Sequence, residues 1–363
     1  MAIRIGVNAL YLIPGGVGGT EIYLRSLLKA IAEVDQNNTW VVFTNRETGA
    51  DLVPRAANFF HAPLAVRATN RAARILREQT ALPVAAARRH LDVLFNPGFT
   101  CPLLDRCPNV TVFHDLQHKR HPEYFRWFDL PPWQFLLWSA AHRSRALIAV
   151  SAATRDDLLH WYGVDSTVVH HGIEPEFFDI AERRQPQRFI LCLSTLHPHK
   201  NLDRLVRAFA GVDRPDFHLV IAGLRGFFTA RLEALIPALG VGDRVRITGW
   251  LRREEVRELL RTAWAVIQPS TFEGFGLPVL EAMAAGVPLA CSDIPPFREI
   301  AGGFVEMFDP ADEAAIRDAL IRLMDAPPQT AAPRDHARQF TWPRAARETI
   351  AVLERAAGVS VSR

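Results

Sequence analysis

Glu273 and Glu281 flank a glycine-rich stretch, Ser270-Thr-Phe-Glu-Gly-Phe-Gly-Leu-Pro-Val-Leu-Glu-Ala-Met-Ala-Ala-Gly286, whose residue types and spacing could do chemistry. The apolar run 263–268 before it reads as a buried strand. Pro278 suits the first turn of a helix, because its missing N–H would be unpaired there anyway. Gly286 suits the helix end, where a left-handed residue is wanted. The expected unit is strand, loop, helix, with Glu273 in the loop and Glu281 in the first helical turn. Gly274 and Gly276 let the backbone come close to a ligand. A helix N-terminus offers free N–H groups and partial positive charge, which favours a phosphate. Two carboxylates beside a phosphate site make sense for a sugar nucleotide, whose hydroxyls need acceptors and whose diphosphate needs donors. An ordinary helix-capping Glu beside a solvated Glu is the plainer alternative.

Other polar and glycine clusters follow apolar runs in the same way. Ile13-Pro-Gly-Gly-Val-Gly-Gly-Thr-Glu21 follows the first run and includes Gly18 and Gly19. Its spacing is not the dinucleotide fingerprint, but a tight turn bringing an anion to a helix N-terminus fits it. His114-Asp115 follows 110–113, and Ser194-Thr-Leu-His-Pro-His-Lys-Asn201 follows 189–193. The sequence has no D-x-D motif to hold a divalent cation on a diphosphate. Protein cations and N–H groups would then carry that charge, with Lys200 the leading candidate.

The elements that must position these residues are short apolar runs alternating with longer amphipathic stretches. Candidate strands are 3–9, 40–44, 93–96, 110–113, 146–150 and 167–170, then 189–193, 218–222, 244–248, 263–268, 287–291 and 305–308. Strand and helix alternating in this way predicts parallel sheets. Ligands bind beyond the carboxyl ends of such strands, where the polar clusters fall. A polar, proline-bearing break at 180–187 divides the chain into an α/β domain 1–180 and a second one, 181–339. At 363 residues, 49% hydrophobic and 22% charged, the chain has material for two cores. A net charge of +3 is too small to argue for nucleic acid. Scattered cysteines without zinc spacing, and no signal-peptide layout, point to a cytoplasmic protein.

The run Glu-Gly-Phe-Gly-Leu-Pro-Val-Leu-Glu-Ala-Met-Ala-Ala-Gly resembles the glutamate-spaced signature of retaining glycosyltransferases of family four, with the GT-B fold. The resemblance covers essentially the whole chain. It implies two Rossmann-like domains facing across a cleft and a last helix, within 340–363, returning to the first domain. It implies a donor that is a nucleotide-diphosphate sugar, with GDP-mannose the first guess. It also implies a glycan or lipid-linked acceptor, no cofactor and no essential metal. Carried onto this sequence, Glu281 holds the ribose hydroxyls, while Glu273 and the N–H groups of Phe275, Gly276 and Leu277 orient the sugar. Lys200 with Gly18 and Gly19 steadies the diphosphate, His114 contacts the sugar, and the turn Gly249, Trp250, Leu251 meets the base. His114, Lys200 and Glu273 are the catalytic candidates. Thr195 departs from the arginine common in relatives, so His197 or His199 is expected to supply part of the missing charge. A catalytically silent GT-B protein that binds a glycan or partners an active enzyme is the alternative.

Two segments bear on the acceptor. Arginines at 67, 71, 74, 77, 88 and 89 recur against one acid, Glu78, giving an expected basic stripe on helix 67–90. That stripe suits an anionic acceptor or peripheral contact with lipid headgroups at the inner face of the membrane. The aromatic run 124–138 is expected to lie mostly in the core, with some rings on the acceptor side.

Overall fold

The computed structural model describes residues 2–104, 106–325 and 330–358. The chain divides into two compact units, one made of residues 1–172 and 341–363, the other of 173–340. The first unit is built on β1 (Arg4–Asn8), β2 (Thr39–Thr44), β3 (Phe59–Pro63), β4 (Val93–Asn96), β5 (Asn109–Phe113), β6 (Ala146–Ala149) and β7 (Thr167–Val168). These form one sheet in the order β3-β2-β1-β4-β5-β6-β7, and every pairing is parallel. The connecting helices are α1 (Gly19–Val34), α2 (Arg71–Arg88), α3 (Gln117–Arg120), α4 (Leu130–Arg143) and α5 (Ala152–Tyr162).

The second unit contains β8 (Phe189–Leu193), β9 (His218–Ala222), β10 (Val245–Gly249), β11 (Ala265–Gln268), β12 (Leu289–Ser292) and β13 (Glu306–Phe308). Their order is β10-β9-β8-β11-β12-β13, again all parallel. Its helices are α6 (Leu202–Ala210), α7 (Thr229–Ala238), α8 (Arg253–Thr262), α9 (Leu277–Ala284), α10 (Pro295–Ala301), α11 (Glu313–Asp325) and α12 (Ala331–Ala337). The central strands β8, β11 and β12 are buried throughout, as expected for a sheet covered on both faces. The chain then returns to the first unit as α13 (Trp342–Ala356), which packs on α1. Residues 359–363 of the expected returning segment lie outside the described residues.

The expected strand–helix alternation is present in both units. β3 was not among the candidate strands. It is an edge strand with a mixed face, carrying the exposed His61 and ending in Pro63, which an edge tolerates. The expected break at 180–187 is corrected, because the second unit begins at Ile173. The 3-10 segment Pro175–Arg183 buries Phe177 and Ile180 there. Arg184 donates to the carbonyls of Gly286, Ala263 and Trp264 at 3.1, 2.6 and 3.2 Å. Where the chain enters and leaves this unit, the Ile173 N–H donates to the Phe340 carbonyl at 3.0 Å. Gly172 has no room for a side chain, since a Cβ would come within 2.1 Å of the Trp342 nitrogen.

Two further expectations change. The stripe on α2 is broken, because Arg74 and Glu78 point inward, both buried, as an i,i+4 pair at 3.4 Å. The aromatic run is not mostly core, since Trp127, Phe128, Phe135 and Trp138 are all exposed. No helix among the described residues is long and apolar enough to cross a membrane.

Candidate functional site

In the second unit the candidates collect beyond the carboxyl ends of β8 and β11. The loop after β8 turns through Asn201, whose left-handed backbone (φ 57°) opens α6. The Asn201 side chain donates to the carbonyls of Pro269 and Pro310 at 3.0 and 2.8 Å. Thr271 donates its N–H and its hydroxyl to the His199 carbonyl at 2.8 and 3.1 Å. The bond to Pro269 and the two to His199 fasten the two loops together and bring Lys200 opposite Glu273, while the bond to Pro310 ties Asn201 to the segment after β13. The Lys200 ammonium lies 2.6 Å from Glu273 Oε1, which also accepts from the Ser270 hydroxyl at 2.7 Å. Both side chains are part-buried, at 16% and 14% exposure.

After Glu273, the loop turns into α9 at Gly276, whose φ of +113° favours glycine. A Cβ there would meet Phe297 at 2.6 Å and Ile300 at 3.0 Å. The backbone thus presents the start of α9, where the first N–H groups have no intrahelical acceptor. Pro278 lies in the first turn as expected. Glu281 does not. It falls on the second turn and is almost wholly buried.

What holds Glu281 is an arginine that sequence reading missed. Arg253 Nη1 donates to Glu281 Oε1 at 2.6 Å, and Nη2 donates to both oxygens of Glu174 at 3.0 and 2.9 Å. The guanidinium also lies over the Phe177 ring, 4.7 Å from its centroid. Burial works against its charge, but the two carboxylates outweigh burial and hold it above its ordinary range. Burial raises the Glu174 carboxyl, and Arg253 opposes that rise. One signal was available. Arg253 is the first residue of α8, where the helix dipole disfavours a cation, so an arginine there needs nearby carboxylates.

Elsewhere in this unit, Thr195 accepts through its carbonyl from His197 N–H at 2.8 Å. His197 is a poor source of the missing positive charge, because burial and neighbouring Lys200 both push its pKa down. His199 stands 5.8 Å from it, ring to ring. Gly249 ends β10 with positive φ, its carbonyl accepting from Gly223 N–H at 3.0 Å. Trp250 is exposed and Leu251 half-buried in the turn that follows.

The first unit holds His114, Gly18 and Gly19. Gly18 has φ 59° and caps α1, and Gly19 is that helix's first residue. Glu21 closes the loop by accepting from Gly15 N–H at 2.7 Å. His114 ends β5, is buried, and has its Nε2 2.8 Å from the Pro97 carbonyl. A carbonyl only accepts, so Nε2 carries the proton and Nδ1 keeps a lone pair. Burial pushes the imidazole down to about 4, which keeps it neutral near pH 7. Tyr23, Phe99 and His171 pack around it, with ring centroids 4.9, 5.2 and 5.8 Å away. His171, read as a hinge residue, belongs to this aromatic cluster with Tyr23 and Trp342. Among the described residues no group of three or more His, Cys, Asp or Glu is placed to hold a metal ion.

The sequence pattern of the family Glycosyl transferases group 1 matches residues 174–340, and that of Glycosyltransferase Family 4 matches 17–177. The chain belongs to the group 1 glycosyltransferases of the GT-B fold. Within that family it is 28% identical over 231 residues to an O-antigen chain mannosyltransferase of Salmonella typhimurium. That alignment spans 63% of this chain and 64% of the relative. In fold, this group 1 chain is similar to sucrose-phosphate synthase from Thermosynechococcus elongatus, with a TM-score of 0.81 and 18% identity over 99% of this chain and 100% of that one. It is also similar to Anabaena HepE in complex with UDP-glucose, with a TM-score of 0.76 and 18% identity over 97% and 100% of the two chains.

Proposed function

We propose that this chain is a retaining glycosyltransferase that moves a hexose from a nucleotide-diphosphate sugar to a glycan or lipid-linked acceptor. The observation that carries this reading is the paired placement of Lys200 and Glu273 beside the start of α9. A cation, a carboxylate and the first N–H groups of a helix, all beyond the ends of β8 and β11, match a diphosphate next to a sugar. Lys200 and the N–H groups of Gly276 and Leu277 take up the charge that develops on the leaving diphosphate. Glu273 accepts from sugar hydroxyls once Lys200 turns to phosphate. Glu281, fixed by Arg253, accepts from the ribose hydroxyls, and the Gly249–Leu251 turn meets the base. In the first unit, neutral His114 offers an acceptor to a sugar hydroxyl, and the start of α1 at Gly18 and Gly19 offers N–H groups to an anion.

This reading assigns no carboxylate as a nucleophile. The acceptor oxygen therefore attacks on the face from which the diphosphate leaves. The C–O bond to the leaving phosphate breaks, the new glycosidic bond forms, and the departing phosphate oxygen takes the acceptor's proton. Lys200 and the N–H groups do the work of a metal ion, so turnover needs none. The relative's role in O-antigen synthesis makes mannose the first sugar to test, with GDP as its carrier. The UDP-glucose bound by HepE makes UDP the next. Four cysteines without zinc spacing favour the cytoplasm.

Thermal unfolding with UDP, GDP, ADP and TDP, each with and without magnesium, tests the reading on wild type and Glu281→Ala. A nucleotide at about 100 times its Kd adds about 2.7 kcal/mol to stability. The expected result is one nucleotide that stabilises regardless of metal and loses its effect in Glu281→Ala. A folded protein that no nucleotide stabilises would instead be a silent GT-B protein.

A further inference from the structure

We propose that the outward face of α4, with the turn before it, docks on an anionic lipid surface. α4 is apolar on two sides. Leu137, Ala140 and Ala141 are buried in the core with Phe113, Leu147 and Leu158. The outward side carries Phe135 and Trp138, 54% and 49% exposed, and the turn just before α4 carries Trp127 and Phe128, 83% and 52% exposed. Phe135 and Trp138 stack with centroids 6.5 Å apart, and Trp138 lies 4.6 Å from the ring of His142. Leu159 and Trp161 of the adjacent α5 are exposed as well. A surface helix ordinarily turns polar side chains to water. Clustered large aromatics in that position mark a surface with a partner.

Charge selects the partner. Residues 117–162 hold Lys119, Arg120, Arg126, Arg143, Arg145 and Arg155 against Glu123, Asp129, Asp156 and Asp157, an excess of two cations. The Arg126 guanidinium lies 6.0 Å from the Phe128 ring centroid. Arg71, from the start of α2, lies 5.0 Å from that of Trp133. On the acidic side, Asp157 is bonded to Arg120, Asp156 to Arg155 and Glu123 to His121. A second copy docked about a two-fold axis would bring like cations together. Anionic headgroups are attracted to those cations, and the aromatic rings fit the level where headgroup meets hydrocarbon. Arg71, exposed at the start of α2, joins this surface. This goes beyond the transferase reading, because lipid binding requires neither donor nor transfer.

Sedimentation of the full chain with vesicles of phosphatidylcholine, alone or mixed with phosphatidylglycerol, tests the proposal without an activity readout. Wild type should bind the mixed vesicles and not the neutral ones. Phe135→Ser/Trp138→Ser should lower partitioning by about tenfold or more, since membrane affinity scales with buried apolar area. Its thermal midpoint should stay close to wild type, because both residues are about half exposed and lie outside the core beneath α4. Arg126→Gln/Arg143→Gln gives an independent arm and should weaken binding to the mixed vesicles. Wild type that ignores both vesicles, or two variant pairs that bind as wild type does, would overturn the proposal. A wild-type dimer that the serine pair splits, with no vesicle binding, would overturn it in favour of a second copy.

Discussion

Removing the guanidinium of Arg253 should damage ribose recognition although Arg253 itself need not touch the nucleotide. Its three short bonds hold Glu281 to Glu174, and the side chain is 24% exposed. In Arg253→Met the two carboxylates face each other without a cation, which costs about 2–4 kcal/mol of stability, toward the lower end of breaking a buried pair because Arg253 is partly solvated. Glu281 then loses its fixed orientation. A charge-assisted hydrogen bond contributes about 1.5–3 kcal/mol, so wild type should prefer a nucleoside diphosphate over its 2′,3′-dideoxy analogue by about 10–100-fold. Calorimetric titration of both nucleotides into wild type, Arg253→Met, Glu281→Gln and the double variant measures that preference. Arg253→Met should reduce it to within about fivefold of unity. Arg253→Lys should restore part of it, and the double variant should lose no more than either single one. Full preference in Arg253→Met would refute the positioning role. Full preference in Glu281→Gln would refute the ribose assignment itself.

Lys200→Ala should lower kcat with any active donor by about 2–4 kcal/mol of transition-state stabilisation, by analogy with losing an oxyanion donor. Steady-state kinetics checks this, and a full-rate variant removes Lys200 from the mechanism. Buried His114 must charge on unfolding in acid. Its folded pKa, about 4, lies below the ordinary 6.5, so the unfolded chain binds the proton first and stability falls as pH drops from 6.5 toward 4. Above pH 6.5 both states are neutral and this effect vanishes. His114→Gln should therefore flatten the urea-unfolding difference between pH 7 and pH 5 by about 1–2 kcal/mol, and an unchanged difference would contradict the buried neutral ring. Gly276→Ala should destabilise by about 2–4 kcal/mol, from positive φ and the clash with Phe297, measurable by denaturant titration.

The strand–loop–helix around Glu273 was legible because local rules set it. An apolar run, two glycines, Pro278 and Gly286 each place their own neighbours. The place of Lys200, in the loop just after β8, was legible for the same reason. Arg253 was not, because its partners Glu174 and Glu281 lie far away in sequence, and only the packing of α8, α9 and the 3-10 segment brings them together. Glu281 was placed one turn too early because α9 starts at Leu277, and its burial depends on that same distant packing. The arginines of α2 recur at helical spacing, but spacing does not tell which side packs inward, so Arg74 and Glu78 were read as surface. The aromatic segment erred the other way. Aromatic composition suggests core, whereas α4 had already filled its inner face with Leu137 and alanines.

The bond between Ile173 and Phe340 makes the second unit a continuous guest whose two ends meet, set within a host finished by α13. During synthesis, the guest has all of its own strands before the host has its last helix. Until residue 342 onward leaves the ribosome, α1 lacks the helix that packs against it. A chain stopped at Phe340 would therefore hold a whole guest and an unfinished host. The guest is the part to express alone, with its ends already adjacent for a short artificial closure.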